Sequence, residues 1–157
     1  FVMLLNIPHF IPPELLSTLC EMGHSDRIVL ADANFPGASI AKKGNVKFIR
    51  MDGTNIPELL DAVLQLIPLD HCPAQPVLLM QKMESDAHLE IPIWDEYKKI
   101  VGKYAPQGEN AVGHMDRFDF YDAAENVYCI VQTGESSIYA NVMVQKGVVV
   151  ENAESNC

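Results

Sequence analysis

His24 and Asp32 are the residues of this chain best placed to do chemistry. One precedes and the other follows a short apolar run, Ile28 to Ala31. A histidine titrates near neutral pH and can act as acid and base in turn. A carboxylate at the carboxyl end of a strand sits where ligands bind in open α/β sheets. Arg117, within Met115-Asp116-Arg117-Phe118-Asp119-Phe120-Tyr121, brings a guanidinium fork able to hold several hydroxyls. Much later, Ile138-Tyr139-Ala140-Asn141 adds a phenol and a carboxamide. If that segment is a strand, Tyr139 and Asn141 share one face. Imidazole, carboxylate, guanidinium, phenol and amide together describe a pocket for proton transfer on a neutral polyhydroxy ligand.

Each of these residues also has a plain structural reading. His24 follows a helix-like stretch ending at Gly23, whose terminal carbonyls favour a cation. Asp32 opens Asp32-Ala33-Asn34, a natural turn. Arg117 can pair with Asp116, Asp119 or Asp122, and Tyr139 and Asn141 fit an exposed sheet face. His9, His71 and His88 lie in polar or proline-containing stretches and read as surface residues, while His114 is open to either role. No GxGxxG follows a strand, and there is no Walker loop, HExxH spacing or GxSxG elbow. The expectation is a site with no cofactor and no metal.

The elements that must position these groups alternate. A helix opens at Pro12-Pro13-Glu14, with Leu15, Leu16, Leu19 and Met22 at helical spacing. Arg27 to Ala31 reads as a strand buried on both faces. Residues Ala33 to Asn45, rich in Gly, Pro and Asn, read as a loop, and Val46 to Ile49 as a strand. Asp52-Gly53 is a turn. A second helix starts at Ile56-Pro57-Glu58 and carries Leu59, Leu60, Val63, Leu64 and Ile67. Val77 to Met80 is a strand, Met83 to Glu90 a loop, and Pro92 to Tyr104 a third helix. A short helix over Phe118 to Asn126 leads to strands over Val127 to Gln132 and Ile138 to Gln145. Thr133-Gly134-Glu135 turns between them, and Lys146-Gly147 turns into Val148 to Val150. The predicted class is α/β: one domain over residues 1–157, a largely parallel or mixed central sheet flanked by helices, and a polar, frayed tail from Glu151 to Cys157.

A net charge of −10 and the lack of a basic stripe argue against nucleic acid and anionic membranes as partners. No apolar run approaches the ~18 residues of a membrane span. The opening FVMLLNIPHF lacks the basic region and cleavage site of a secretory signal. A soluble cytoplasmic protein is therefore expected, with Phe1-Val2 as a scar or truncation. Cys20, Cys72, Cys129 and Cys157 form no CxxC pair, and buried thiols are expected at Cys20 and Cys129.

The segments PELLSTLCEMGHSDRIVLADANFP, MDRFDFYDAAENVYCIVQTGE and IYANVMVQKGV resemble the fucose mutarotase family, which is related to the D-ribose pyranase proteins of bacterial ribose operons. The likeness runs from about Pro12 to Val149. It implies an isomerase of free monosaccharides, L-fucose above all, working without cofactor as a homo-oligomer with pockets near subunit contacts. It implies that His24 is the proton donor, and that Asp32, Arg117 and Tyr139-Ala140-Asn141 bind the sugar. Asp32 would hold a hydroxyl or orient His24. Ser25 stands where Gly or Thr is common, and Ala140 where fucose enzymes often have Gly. Ribose-pyranase-like activity on another sugar, or a module that binds a monosaccharide without turning it over, are the alternatives.

Overall fold

A computed structural model describes residues 4–150. Six strands form one mixed sheet in the order β2-β5-β1-β6-β3-β4. They are β1 (Arg27–Ala31), β2 (Lys47–Met51), β3 (Val77–Met80), β4 (Val112–Met115), β5 (Cys129–Thr133) and β6 (Val142–Gln145). β1, β2 and β5 run parallel, as do β3 and β4, while β6 is antiparallel to its neighbours β1 and β3. The carboxyl ends of β1 and β3 and the amino end of β6 therefore meet at one edge of the sheet.

Helices α1 (Pro13–Glu21), α3 (Ile56–Leu66) and α4 (Pro92–Tyr104) cover one face, and α2 (Gly37–Gly44) and α5 (Arg117–Ala124) the other. Strand alternation divides the core between them. Ile28, Leu30, Val131, Val142 and Val144 face the three-helix side, whereas Val29, Ala31, Ile130 and Met143 face the two-helix side. Helix α3 shows the local logic: Asn55 caps it by accepting from Glu58 N–H at 3.0 Å, and Pro57 occupies its first turn. Its stripe of Ile56, Leu59, Leu60 and Val63 is fully buried.

Five expectations change. Residues 37–44 are helix α2 rather than loop: Gly37 lies at its start, and Asn45 ends it in the left-handed region with φ 53°. The glycine and asparagine that suggested a loop are helix punctuation. β4 was hidden by its Gly-His centre, and its pairing with β3 supplies what local propensity does not. Residues 138–141 precede the strand, because Tyr139 has φ 52° and leaves the extended region. Val148 to Val150 pair with no strand among the described residues and are exposed. Cys129 is buried, but Cys20 lies on the open side of α1, away from buried Leu15, Thr18 and Leu19, and is exposed. The tail from Glu151 to Cys157 and the Phe1-Val2 expectation lie outside the described residues.

Candidate active site

A pocket of about 260 Å³ opens at the shared edge of β1, β3 and β6. Asp32, Asn34, Phe35, Met80, Arg117, Tyr121, Ile138, Tyr139 and Asn141 line it. It sits where β6 reverses direction between two sets of parallel strands, the crevice position typical of open α/β sheets. The size suits a ligand smaller than the drug-sized molecules that fill sites of roughly 300–1,000 Å³.

Asp32 is only 5% exposed. Burial pushes its carboxyl above the usual range, and backbone N–H groups of Asn34, Ala140 and Phe35 offset part of that. Its Oδ1 accepts from Asn34 N–H at 3.0 Å, so the turn expected from sequence and the pocket position coexist. Asn141 accepts the Asp32 backbone N–H through Oδ1 at 2.8 Å. That bond fixes the amide and leaves its NH₂ as the donating end. Ala140 contributes backbone rather than side chain: its N–H holds Asp32, and its carbonyl accepts from the buried Tyr97 hydroxyl at 2.7 Å.

The pocket mouth is strapped. The Tyr139 hydroxyl donates to Asp86 and accepts from Met83 N–H at 3.2 Å, while Trp94 Nε1 donates to the Tyr139 carbonyl at 2.8 Å. The bond to Asp86 pushes the phenol further up, so it stays protonated. Arg117, at the start of α5, donates from Nε to the Tyr121 hydroxyl at 3.0 Å and from Nη1 to the Met83 sulfur. The expected ion pairs with Asp116, Asp119 and Asp122 do not form, which leaves the remaining guanidinium N–H groups available to a ligand.

Thr133-Gly134-Glu135 proves to be the brace behind this edge. Thr133 Oγ1 donates to the Ala31 carbonyl at 2.7 Å, and the Glu135 carboxylate accepts from Ile56 N–H and from Ser137 N–H, both at 3.2 Å. The Glu135 carbonyl accepts Ala33 N–H at 2.8 Å. Gly134 is required because a Cβ there would lie 1.9 Å from the Asp52 carbonyl oxygen. The motif ties β5, β1 and α3 together around Asp32.

His24 lies at the opposite end of β1. That strand has five residues; at about 3.3 Å each, it holds the two ends about 16 Å apart. The chain thus brings Asp32, Arg117, Tyr139 and Asn141 together and leaves His24 elsewhere. Around His24, Lys146 Nζ caps the carbonyls of Leu19 and Met22 at the end of α1, and Asp26 accepts Gly23 N–H at 2.7 Å. Ser25 turns the chain with φ 70°. His24 Nε2 meets Asp70 Oδ1 at 3.2 Å. Asp32 therefore does not orient this chain's own His24; Asp70 does. Asp70 was missed because its link to His24 spans 46 residues of sequence and depends on the sheet. His9, His71 and His88 are exposed as expected, and His114 packs its ring against Trp94 at 4.6 Å.

Among the described residues, His24, Asp70 and Cys72 hold ligand-type atoms within 4.8 Å of one another. The Asp70 carboxylate, however, already accepts from His24, Ser25, Gln145 and Cys72 N–H. That donor set suits an orienting carboxylate more than a metal ligand. No helix among the described residues is long and apolar enough to cross a membrane.

Fold and pocket together define a small α/β protein with a hydrogen-bonding site at the carboxyl edge of a mixed sheet. The chain belongs to the RbsD / FucU transport protein family, whose model matches residues 5–149. It is 42% identical to human fucose mutarotase over 153 residues, covering 96% of this chain and 97% of that protein. The FucU structure from Bifidobacterium longum superposes with a TM-score of 0.88 at 47% identity, covering 92% of this chain and 99% of that one. A Streptococcus pneumoniae fucose mutarotase solved in complex with L-fucose gives a TM-score of 0.85 at 44% identity, covering 94% of this chain and all (100%) of that one.

Proposed function

We propose that this protein interconverts the α and β anomers of L-fucose, and that it does so as a homo-oligomer in which His24 of one copy faces the pocket of another. The observation that carries the reading is the convergence of Asp32, Arg117, Tyr139 and Asn141 on one pocket of monosaccharide size. The likeness to fucose mutarotases supplies the sugar. Support for the oligomer comes from the strand that separates His24 from the pocket in a single chain.

Mutarotation moves two protons. A base removes the anomeric hydroxyl proton while an acid protonates the ring oxygen, and the bond from C1 to the ring oxygen breaks. The open-chain aldehyde turns about C1–C2, and the ring oxygen returns to the other face of the carbonyl. His24 serves as the proton donor. Asp32, with a carboxyl raised by burial, is the second proton-handling group and the partner of the reacting hydroxyl. Arg117, Tyr139 and the NH₂ of Asn141 hold the other ring hydroxyls, with Ala140 acting through its backbone. Phe35, Met80 and Ile138 offer an apolar wall suited to the deoxy carbon of fucose. The reading places the enzyme in the cytoplasm, where its thiols stay reduced.

The test is NMR saturation transfer between anomeric protons of L-fucose, D-galactose and D-ribose. Exchange accelerated most on L-fucose supports the reading. Binding without acceleration on any sugar would make the protein a monosaccharide-binding module instead.

A further inference from the structure

We propose that Asp70 is the positioning carboxylate of the reaction: it holds His24 with Nε2–H turned into the protein and Nδ1 presented to the sugar. This rests on His24 as the proton donor. Asp70 is 2% exposed, whereas the His24 side chain is 42% exposed. One end of the pair is therefore anchored and the other is free to meet a substrate.

The groups around Asp70 define its role. Oδ1 faces His24 Nε2 at 3.2 Å and accepts Cys72 N–H at 3.1 Å. Oδ2 accepts from Gln145 Nε2 at 2.8 Å and from Ser25 Oγ at 3.4 Å. Every other partner donates, so the carboxylate is a pure acceptor, and the imidazole nitrogen facing it must carry a proton. In the neutral ring the lone pair then lies on Nδ1, the atom that gains and loses the catalytic proton. Asp70 stays ionised throughout and stabilises the imidazolium that forms, as the third member of a catalytic triad does.

The Gln145 amide is itself fixed. Arg27 Nε donates to its Oε1 at 3.0 Å, which leaves Nε2 to donate to Asp70. Backbone bonds lock the frame: Asp70 N–H to the Gln145 carbonyl at 3.0 Å, and Ser25 N–H to the Lys146 carbonyl at 2.9 Å. The order Arg27, Gln145, Asp70, His24 thus links β1, β6 and the segment before β3. Asp26, closer in sequence, is engaged by Gly23 N–H at 2.7 Å.

Asp70→Asn tests the role, because its NH₂ would face groups that are all donors. With L-fucose, we expect kcat for anomer exchange to fall about tenfold or more while KM changes by less than about twofold. Nitrogen-15 NMR of the wild-type ring should show the Nε2–H tautomer in the neutral form. An Nδ1–H tautomer in wild type would overturn the assignment even if Asp70→Asn does not fold. A folded Asp70→Asn enzyme with full kcat, beside an inactive His24→Ala, would overturn the role of Asp70 and leave His24 as the donor. A fully active His24→Ala would remove the premise, and this inference with it.

Discussion

Two inactive variants should restore each other when mixed. β1 places about 16 Å of extended chain between the His24 turn and Asp32, a gap no histidine side chain bridges. Under the proposed function, a working site takes its imidazole from one copy and its pocket from another. His24→Ala removes the first and Asp32→Asn the second, and each alone should lose on the order of 10²–10⁴-fold in anomer exchange. In a randomly mixed 1:1 oligomer, half of the copies supply an intact imidazole and half an intact pocket. About one quarter of the shared sites are then whole, so the mixture should recover about a quarter of wild-type activity. The assay is NMR exchange on L-fucose after co-refolding, with distinct affinity tags proving that mixed oligomers form. Mixed oligomers no more active than either parent would refute the shared site.

Phe120→Ala should cost about 3–5 kcal/mol by calorimetry, since Phe120 is fully buried and its ring meets the pocket residue Phe35 edge-on at 5.9 Å. Phe118→Ala, at a position 64% exposed, should stay within about 0.5 kcal/mol. Acid titration of stability should expose Asp70: burial pushes its carboxyl up, but hydrogen bonds from Cys72, Gln145 and His24 outweigh that and hold it at about 2 against an ordinary 3.8. A lowered folded-state value stabilises above the unfolded value, so about 2 kcal/mol is present above pH ~4 and is lost as pH falls towards 2. Asp70→Asn should flatten that acid limb, and an unchanged limb would refute the assignment. A thiol reagent should modify exposed Cys20 in the native protein and spare Cys129, which is buried and whose thiol burial pushes up to about 12; mass spectrometry of digests reads the result.

Much of this site was legible because local rules reach it. Proline at the first turn and a four-residue hydrophobic spacing mark α3 and α4, and the apolar run before Asp32 marks β1 and its carboxyl end. The strand between His24 and Asp32 is legible too, but the single pocket expected to hold both is not formed within one chain. What escaped depends on long-range contacts. Asp70 finds His24 only once β1, β6 and the segment before β3 lie side by side, and β4 is a strand chiefly because β3 pairs with it. Tyr139 looked like a strand residue because its apolar neighbours alternate. Its left-handed backbone instead turns the phenol toward the strap that carries Met83 and Asp86.

The most direct measurement is anomeric exchange on L-fucose by saturation transfer, in wild type and in a His24→Ala protein shown to be folded. The proposed mechanism predicts strong acceleration by wild type, near-complete loss in His24→Ala, and fucose binding retained in both. Undiminished exchange in the folded variant would contradict it.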